Sequence, residues 1–204
     1  KRFNISFQDT WLYSTLGYGT HGLLDACTSY GTLLFWPFSY SRIAWNNISI
    51  IDPIFTIPLL ALVITAAIKK RRIFSIMAII WLITYLSIGL YQKNEALKTG
   101  KSLAKNRGHD FSRIEVKPSI GNLLLWKSIY ETEDKFYIDA IRVGWEIKIF
   151  NGESINKINI QSSFPWLELK SQQAKDIERF KWFSNGFIAI NPNNKDQILD
   201  IRYS

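Results

Sequence analysis

Sulfur, imidazole and, over the first half of the chain, charge are what this sequence has least of. A single cysteine, Cys27, excludes an internal disulfide framework and any multi-cysteine metal site, and reads as a small buried apolar residue. Imidazole is confined to His21 and His109. Residues 1–92 hold only three carboxylates, Asp9, Asp25 and Asp52, and residues 7–40 carry no Lys or Arg. No stretch interleaves Lys or Arg with aromatic residues on one face, so the net charge of +8 implies no nucleic-acid partner. Repeats and low-complexity segments are missing too. With 47% apolar and 15% aromatic residues among 204, a disordered tail is excluded.

What is there falls into two unlike halves. Residues 1–92 contain 7 Lys+Arg and 3 Asp+Glu, whereas residues 93–204 contain 18 and 14. From Pro53 to Ile68 no charge interrupts the chain, and with Ile48–Ile51 ahead of it the run reaches the roughly 20 residues that a bilayer crossing needs. Lys69–Arg72 stop it, and Ile73–Tyr91 is a second uncharged run. The pair reads as a transmembrane hairpin with a four-residue basic turn; the competing reading is two buried core helices joined by a solvated turn. Pro53 and Pro58 lie near a helix start, where proline is tolerated. By the positive-inside rule the basic turn faces the cytoplasm, which puts Asp52 and everything after Tyr91 on the external face. Because the chain begins with Lys and lacks a signal-peptide layout, it is expected to be the C-terminal part of a longer protein.

The expected fold is an α-helical membrane domain over 1–92, a helical linker over 93–108 stopped by Gly108, and a small, mainly antiparallel α+β soluble domain over 109–204. Period-two patterns mark strands at Ile114–Val116, Leu123–Tyr130 and Phe136–Val143. Asn151-Gly152, between Glu146–Phe150 and Ser154–Ile160, reads as a hairpin turn. Ser171 is placed to cap a helix running to Phe183 that Asn185-Gly186 ends, and short strands follow at Phe187–Ile190 and Ile198–Tyr203.

Ionisable groups at membrane depth are costly and are normally kept for function. His21 and Asp25 are four residues apart, so on a helix they share a face one turn apart. Such a pair can hold a divalent ion, as other i,i+4 ligand pairs do. It can equally be a plain hydrogen-bonded pair. Asp52, just ahead of Pro53, is the third candidate, favoured by the dipole at a helix N-terminus; its alternative role is that of an N-cap. The other candidates have structural readings. His109 sits in a solvated linker, Asp200 and Arg202 form an ion pair on the last strand, and Trp126, Tyr130 and Tyr137 pack across the sheet.

The blocks Gly19-Thr20-His21-Gly22-Leu23-Leu24-Asp25, Thr28-Ser29-Tyr30-Gly31-Thr32, Trp36-Pro37-Phe38-Ser39 and Ile51-Asp52-Pro53 with Pro58 resemble the LexA-regulated, YdjM-like family of bacterial inner-membrane metal-dependent hydrolases. Downstream, Pro118, Asn122, Trp126 and Asp200-Ile201-Arg202-Tyr203 are similar to the tail of its longer members. The resemblance implies a multi-pass protein of the cell inner membrane, with the lipid bilayer as partner. It also implies a divalent ion, zinc as first choice, held by His21, Asp25 and Asp52, with Asp25 or Asp52 as general base. The substrate would be a small molecule or lipid carrying an ester or phosphoester. The family also carries a His-Arg and a Thr-His upstream that this sequence lacks. The alternative is a non-catalytic, membrane-anchored binding or stress-response protein with a buried His/Asp network. Oligomeric state stays open.

Overall fold

The computed structural model describes residues 5–203. They divide into two compact units, one formed by residues up to Tyr91 with Ile120–Leu123, the other by Gln92–Ser119 and the chain from Leu124 onward.

The first unit is helical. Helix α1 (Phe7–Cys27) starts at Ser6, whose hydroxyl accepts the Asp9 N–H. Only Ala26 and Cys27, at its end, are buried; Phe7, Trp11, Tyr13 and Tyr18 stand exposed along it. The expected burial of Cys27 is met, because residues 45–48 fold back on the end of α1: Trp45 N–H donates to Ala26 O, and Asn47 and Ile48 N–H to Cys27 O. A turn at residues 34–38 carries Trp36-Pro37-Phe38. Helix α2 (Pro53–Lys69) begins with Pro at N1 behind the cap Asp52 and ends where Lys70 turns left-handed at φ 53°, its N–H on Ala66 O.

Helix α3 (Arg72–Asn106) follows at once, so the basic turn between the helices is two residues, Lys70 and Arg71. The two differ as membrane segments. Helix α2 has 17 residues, roughly 25 Å at 1.5 Å per residue, against a hydrocarbon core of about 30 Å. Among the described residues α3 is the one helix long and apolar enough to cross a membrane. At 35 residues α3 also absorbs the segment expected as a separate linker. Nothing between Tyr91 and Asn106 breaks it, and the chain turns out of helix only at Gly108, φ +70°.

The second unit is an antiparallel sheet of β1 (Arg113–Pro118), β2 (Leu125–Glu131), β3 (Lys135–Val143), β4 (Ile147–Phe150) and β5 (Ser154–Asn156), in the order β1-β2-β3 with both β4 and β5 against β3. After the short α4 (Ile160–Ser163) comes α5 (Gln172–Phe183), capped by Ser171 on Ala174 N–H and ended by left-handed Asn185 and Gly186. A two-stranded ribbon, β6 (Ile188–Asn191) and β7 (Asn194–Asp200), completes the unit. Its core gathers Ile129, Phe136, Phe187, Ala189 and Ile201, with Ile138 and Ile155 against them.

Asn151-Gly152 is not the hairpin turn that its sequence resembles. Strands β4 and β5 do not pair with each other; they run in line along one side of β3, Phe150 opposite Ala140 and Ser154 opposite Tyr137. The lane bends between them because Asp139 Oδ1 accepts the Gly152 N–H at 3.0 Å and Arg107 Nη2 donates to Asn151 Oδ1 at 2.9 Å. Glycine is required at this bend. A Cβ there would lie 2.1 Å from the carbonyl oxygen of Ile138.

Candidate functional site

His21 and Asp25 fall where helical spacing places them. His21 Nε2 and Asp25 Oδ2 are 3.4 Å apart on α1, with side chains 68% and 48% exposed. The neighbouring backbone is bare, since a Cβ on Gly17 or Gly19 would meet nothing within 4 Å.

Asp52 is placed differently. It is 3% exposed, accepting the Phe55 N–H on Oδ1 at 3.2 Å and the Tyr85 O–H on Oδ2 at 2.7 Å. The Tyr85 ring lies between Phe55 (5.3 Å) and Trp81 (5.6 Å), and Trp81 Nε1–H donates to Phe55 O. Beside it, Gly121 N–H donates to Ile51 O at 2.9 Å. The N-cap expected as an alternative is therefore present, and the carboxylate also ties the start of α2 to α3.

These positions test how well the implied ion fits. His21 and Asp25 qualify as two of the four donors that zinc commonly takes. Both oxygens of Asp52 are already engaged by Phe55 and Tyr85, and the structure does not join it to the pair. Among the described residues no three His, Cys, Asp or Glu side chains stand together as a metal site.

Sequence reasoning missed a polar cluster in the sheet unit. Arg107, in the turn just after α3, forms a bidentate pair with Asp139 (2.7 and 2.9 Å) and donates to Tyr130 Oη at 3.1 Å. His109 Nδ1 is 2.7 Å from the same Tyr130 oxygen, and its ring lies 4.3 Å from that of Tyr137, which stacks on Tyr130. The hydrogen bonds to Asp139 raise the Arg107 pKa further above its ordinary value. Burial raises that of Tyr130 against the opposing pull of Arg107, so the phenol keeps its proton. Tyr130 Oη thus accepts from Arg107 and shares a second hydrogen bond with His109 Nδ1. The ring forms part of the wall of a cleft of about 630 Å³ with Asp110, Phe111, Glu133, Asp134 and Tyr137. One signal was available in the sequence: Asp139 shares its strand face with Ile141 and Val143, and a buried carboxylate needs either a cation or several hydrogen-bond donors.

Two further ion pairs brace this unit. Arg202 Nη2 meets Asp200 Oδ2 at 2.6 Å, as expected, but from a turn after β7 rather than within a strand, and also donates to Phe183 O. Glu131 pairs with Arg113 and Lys157; burial pushes its pKa up, and these two cations outweigh that and hold it below the ordinary value.

The fold thus defines a helical region with one membrane-length helix, followed by an antiparallel sheet domain. Residues 1–96 match the family model for YdjM inner membrane proteins. This bears out, over just under half of the 204 residues, the likeness drawn from Gly19 to Pro58, and the match takes in His21, Asp25 and Asp52. No curated protein and no solved structure matches the chain.

Proposed function

We propose that the chain is a multi-pass inner-membrane hydrolase of ester or phosphoester bonds, in which His21 and Asp25 supply two donors to a divalent ion, zinc, and residues 109–204 lie on the external face. One observation carries the reading: an imidazole and a carboxylate 3.4 Å apart on one face of α1, both accessible, inside the segment that matches an inner-membrane family. When bound, such an ion lowers the pKa of a water molecule and polarises the bond to be broken. His21 would supply an imidazole nitrogen and Asp25 a carboxylate oxygen to the ion, and the second Asp25 oxygen would be free to take a proton from the water. Asp52 is assigned to positioning, since it would have to release the Tyr85 hydroxyl before binding anything else.

His21→Ala and Asp25→Ala in the membrane-extracted protein should each abolish bound metal measured by elemental analysis. Metal retained at the parent level would overturn the reading. A reporter fused after Ser204 should be active outside the cytoplasm; activity inside it would reverse the orientation. The second reading, a non-catalytic membrane-anchored binding protein, draws on the commitment of Asp52 to Tyr85. It predicts no bound metal in the parent protein.

A further inference from the structure

The sheet unit is lopsided along its strands. At one end the β2–β3 connection borders the cleft that carries Asp110, Glu133 and Asp134. The other end, where β3 turns into β4, is apolar and basic. Trp145, in the middle of that turn, is fully exposed, and Leu124, Ile147, Ile149 and Phe150 beside it are exposed as well. Arg142 and Lys148 are exposed and stand directly opposite each other, and neither side chain has an ion pair or hydrogen bond among the described residues. Like charges in that register cost a sheet stability unless an anion lies against them. Glu146 is the one acid in residues 142–150.

Helix α3 enters the unit at that same end. A Cβ on Gly100 would lie 2.6 Å from Ser128 Oγ, and further along Arg107 reaches Tyr130, so α3 and β2 run the same way. Traced back from Gly100, the helix reaches Gln92 in about 12 Å. Traced back from Ser128, the strand reaches Leu124 in about 13 Å. Val143 N–H donates to Leu124 O, which sets the β3–β4 turn on the same level as Gln92. Gln92 directly follows Ile73–Tyr91, the uncharged run of the helix that is long and apolar enough to cross a membrane. Given the membrane assignment proposed above for α3, we propose that the β3–β4 turn is an interfacial anchor: Trp145 and Ile147 enter the headgroup layer of the bilayer that α3 crosses, and Arg142 and Lys148 bind the phosphates of anionic lipids. Tryptophan suits that depth because its ring is apolar and its N–H polar. An opposed pair of cations gains most against a negative surface, and the end of the sheet that carries Asp110, Glu133 and Asp134 is directed away from it.

The test uses the full chain in lipid nanodiscs of phosphatidylcholine, with or without phosphatidylglycerol. In a Cys27→Ala background, a small-for-small change at a buried site, Glu146→Cys carries a nitroxide label; Glu133→Cys and Ile80→Cys carry it in parallel samples. Collision with a water-soluble nickel chelate should be several-fold lower at position 146 than at 133, and lower again with phosphatidylglycerol. That last gain should vanish when Arg142→Gln and Lys148→Gln are combined. Equal access at 146 and 133, or a reading at 146 that ignores phosphatidylglycerol or still responds to it in the double variant, would overturn the anchor, while a lipid-like reading at Ile80→Cys upholds the membrane helix. Chelate access at all three positions would overturn both. Spin coupling between labels at 146 on two chains would assign the face to a second copy and overturn the anchor too. In the unsubstituted chain a phospholipid with a photoactivatable headgroup should crosslink to the peptide that contains Trp145; crosslinks confined to residues 1–91 would overturn the proposal without any variant.

Discussion

Two buried carboxylates, one in each unit, are held by opposite means. Asp52 in the helical unit is stabilised by neutral donors, the Tyr85 hydroxyl and the Phe55 N–H at the positive end of α2. Asp139 in the sheet unit has a formal counter-charge, the bidentate Arg107 guanidinium, with Gly152 N–H as a third donor. A counter-ion among apolar helices would itself need solvation, whereas Arg107 leaves a quarter of its side chain exposed at the edge of the sheet unit. The comparison teaches that burial alone does not say how a charge is kept; the polarity of the surroundings decides between dipoles and ions.

The largest effect expected from breaking this comparison is at Arg107. Arg107→Met leaves Asp139 charged and unpaired, and should destabilise the sheet unit by about 3–5 kcal/mol in urea unfolding followed by circular dichroism. Adding Asp139→Leu should recover most of that loss. Next comes Tyr85→Phe, which removes one donor from Asp52 and should cost about 1.5–3 kcal/mol in thermal unfolding of the detergent-solubilised chain. A cost equal to that of Arg107→Met would erase the distinction between neutral and ionic support.

The smallest effect sharpens the comparison with a group that has no such partner. Lys117 falls from 10.5 to about 7 on folding, so between those values the unfolded chain holds a proton that the folded chain does not. Stability should therefore rise with pH across that window and level off above it. Lys117→Met should flatten the slope and raise stability at and below neutral pH by under about 1 kcal/mol, because the Tyr203 ring 3.2 Å from Nζ offsets part of the cost of burying the ammonium. A melting temperature that stays level with pH in the parent protein would show Lys117 to be charged in the folded state.

Features that depend on near neighbours were legible in the sequence. Alternation at Ile114–Val116 and Phe136–Val143 located β1 and β3, Ser171 and Asn185-Gly186 bracketed α5, and the four-residue spacing of His21 and Asp25 put them on one face. What escaped depends on partners far along the chain. Asn151-Gly152 has the composition of a tight turn, yet Arg107 and Asp139 capture it into a bend. His109, read as solvated, is bound through Tyr130, 21 residues away. Asp52 looked like a companion of His21 and Asp25 until its bond to Tyr85, 33 residues on, gave it a local task.

The bend at Gly152 also bears on how this domain behaves among other chains. The β4–β5 lane is the outer rim of the sheet, and Ile147, Ile149 and Phe150 are each more than 40% exposed there. A straight apolar rim of that kind is a template on which strands of neighbouring molecules assemble. Interrupted after four residues by a bend anchored to Asp139 and resumed for only three, the rim offers no register long enough for another strand to extend. The glycine thereby serves solubility as well as shape, guarding the sheet against edge-to-edge aggregation.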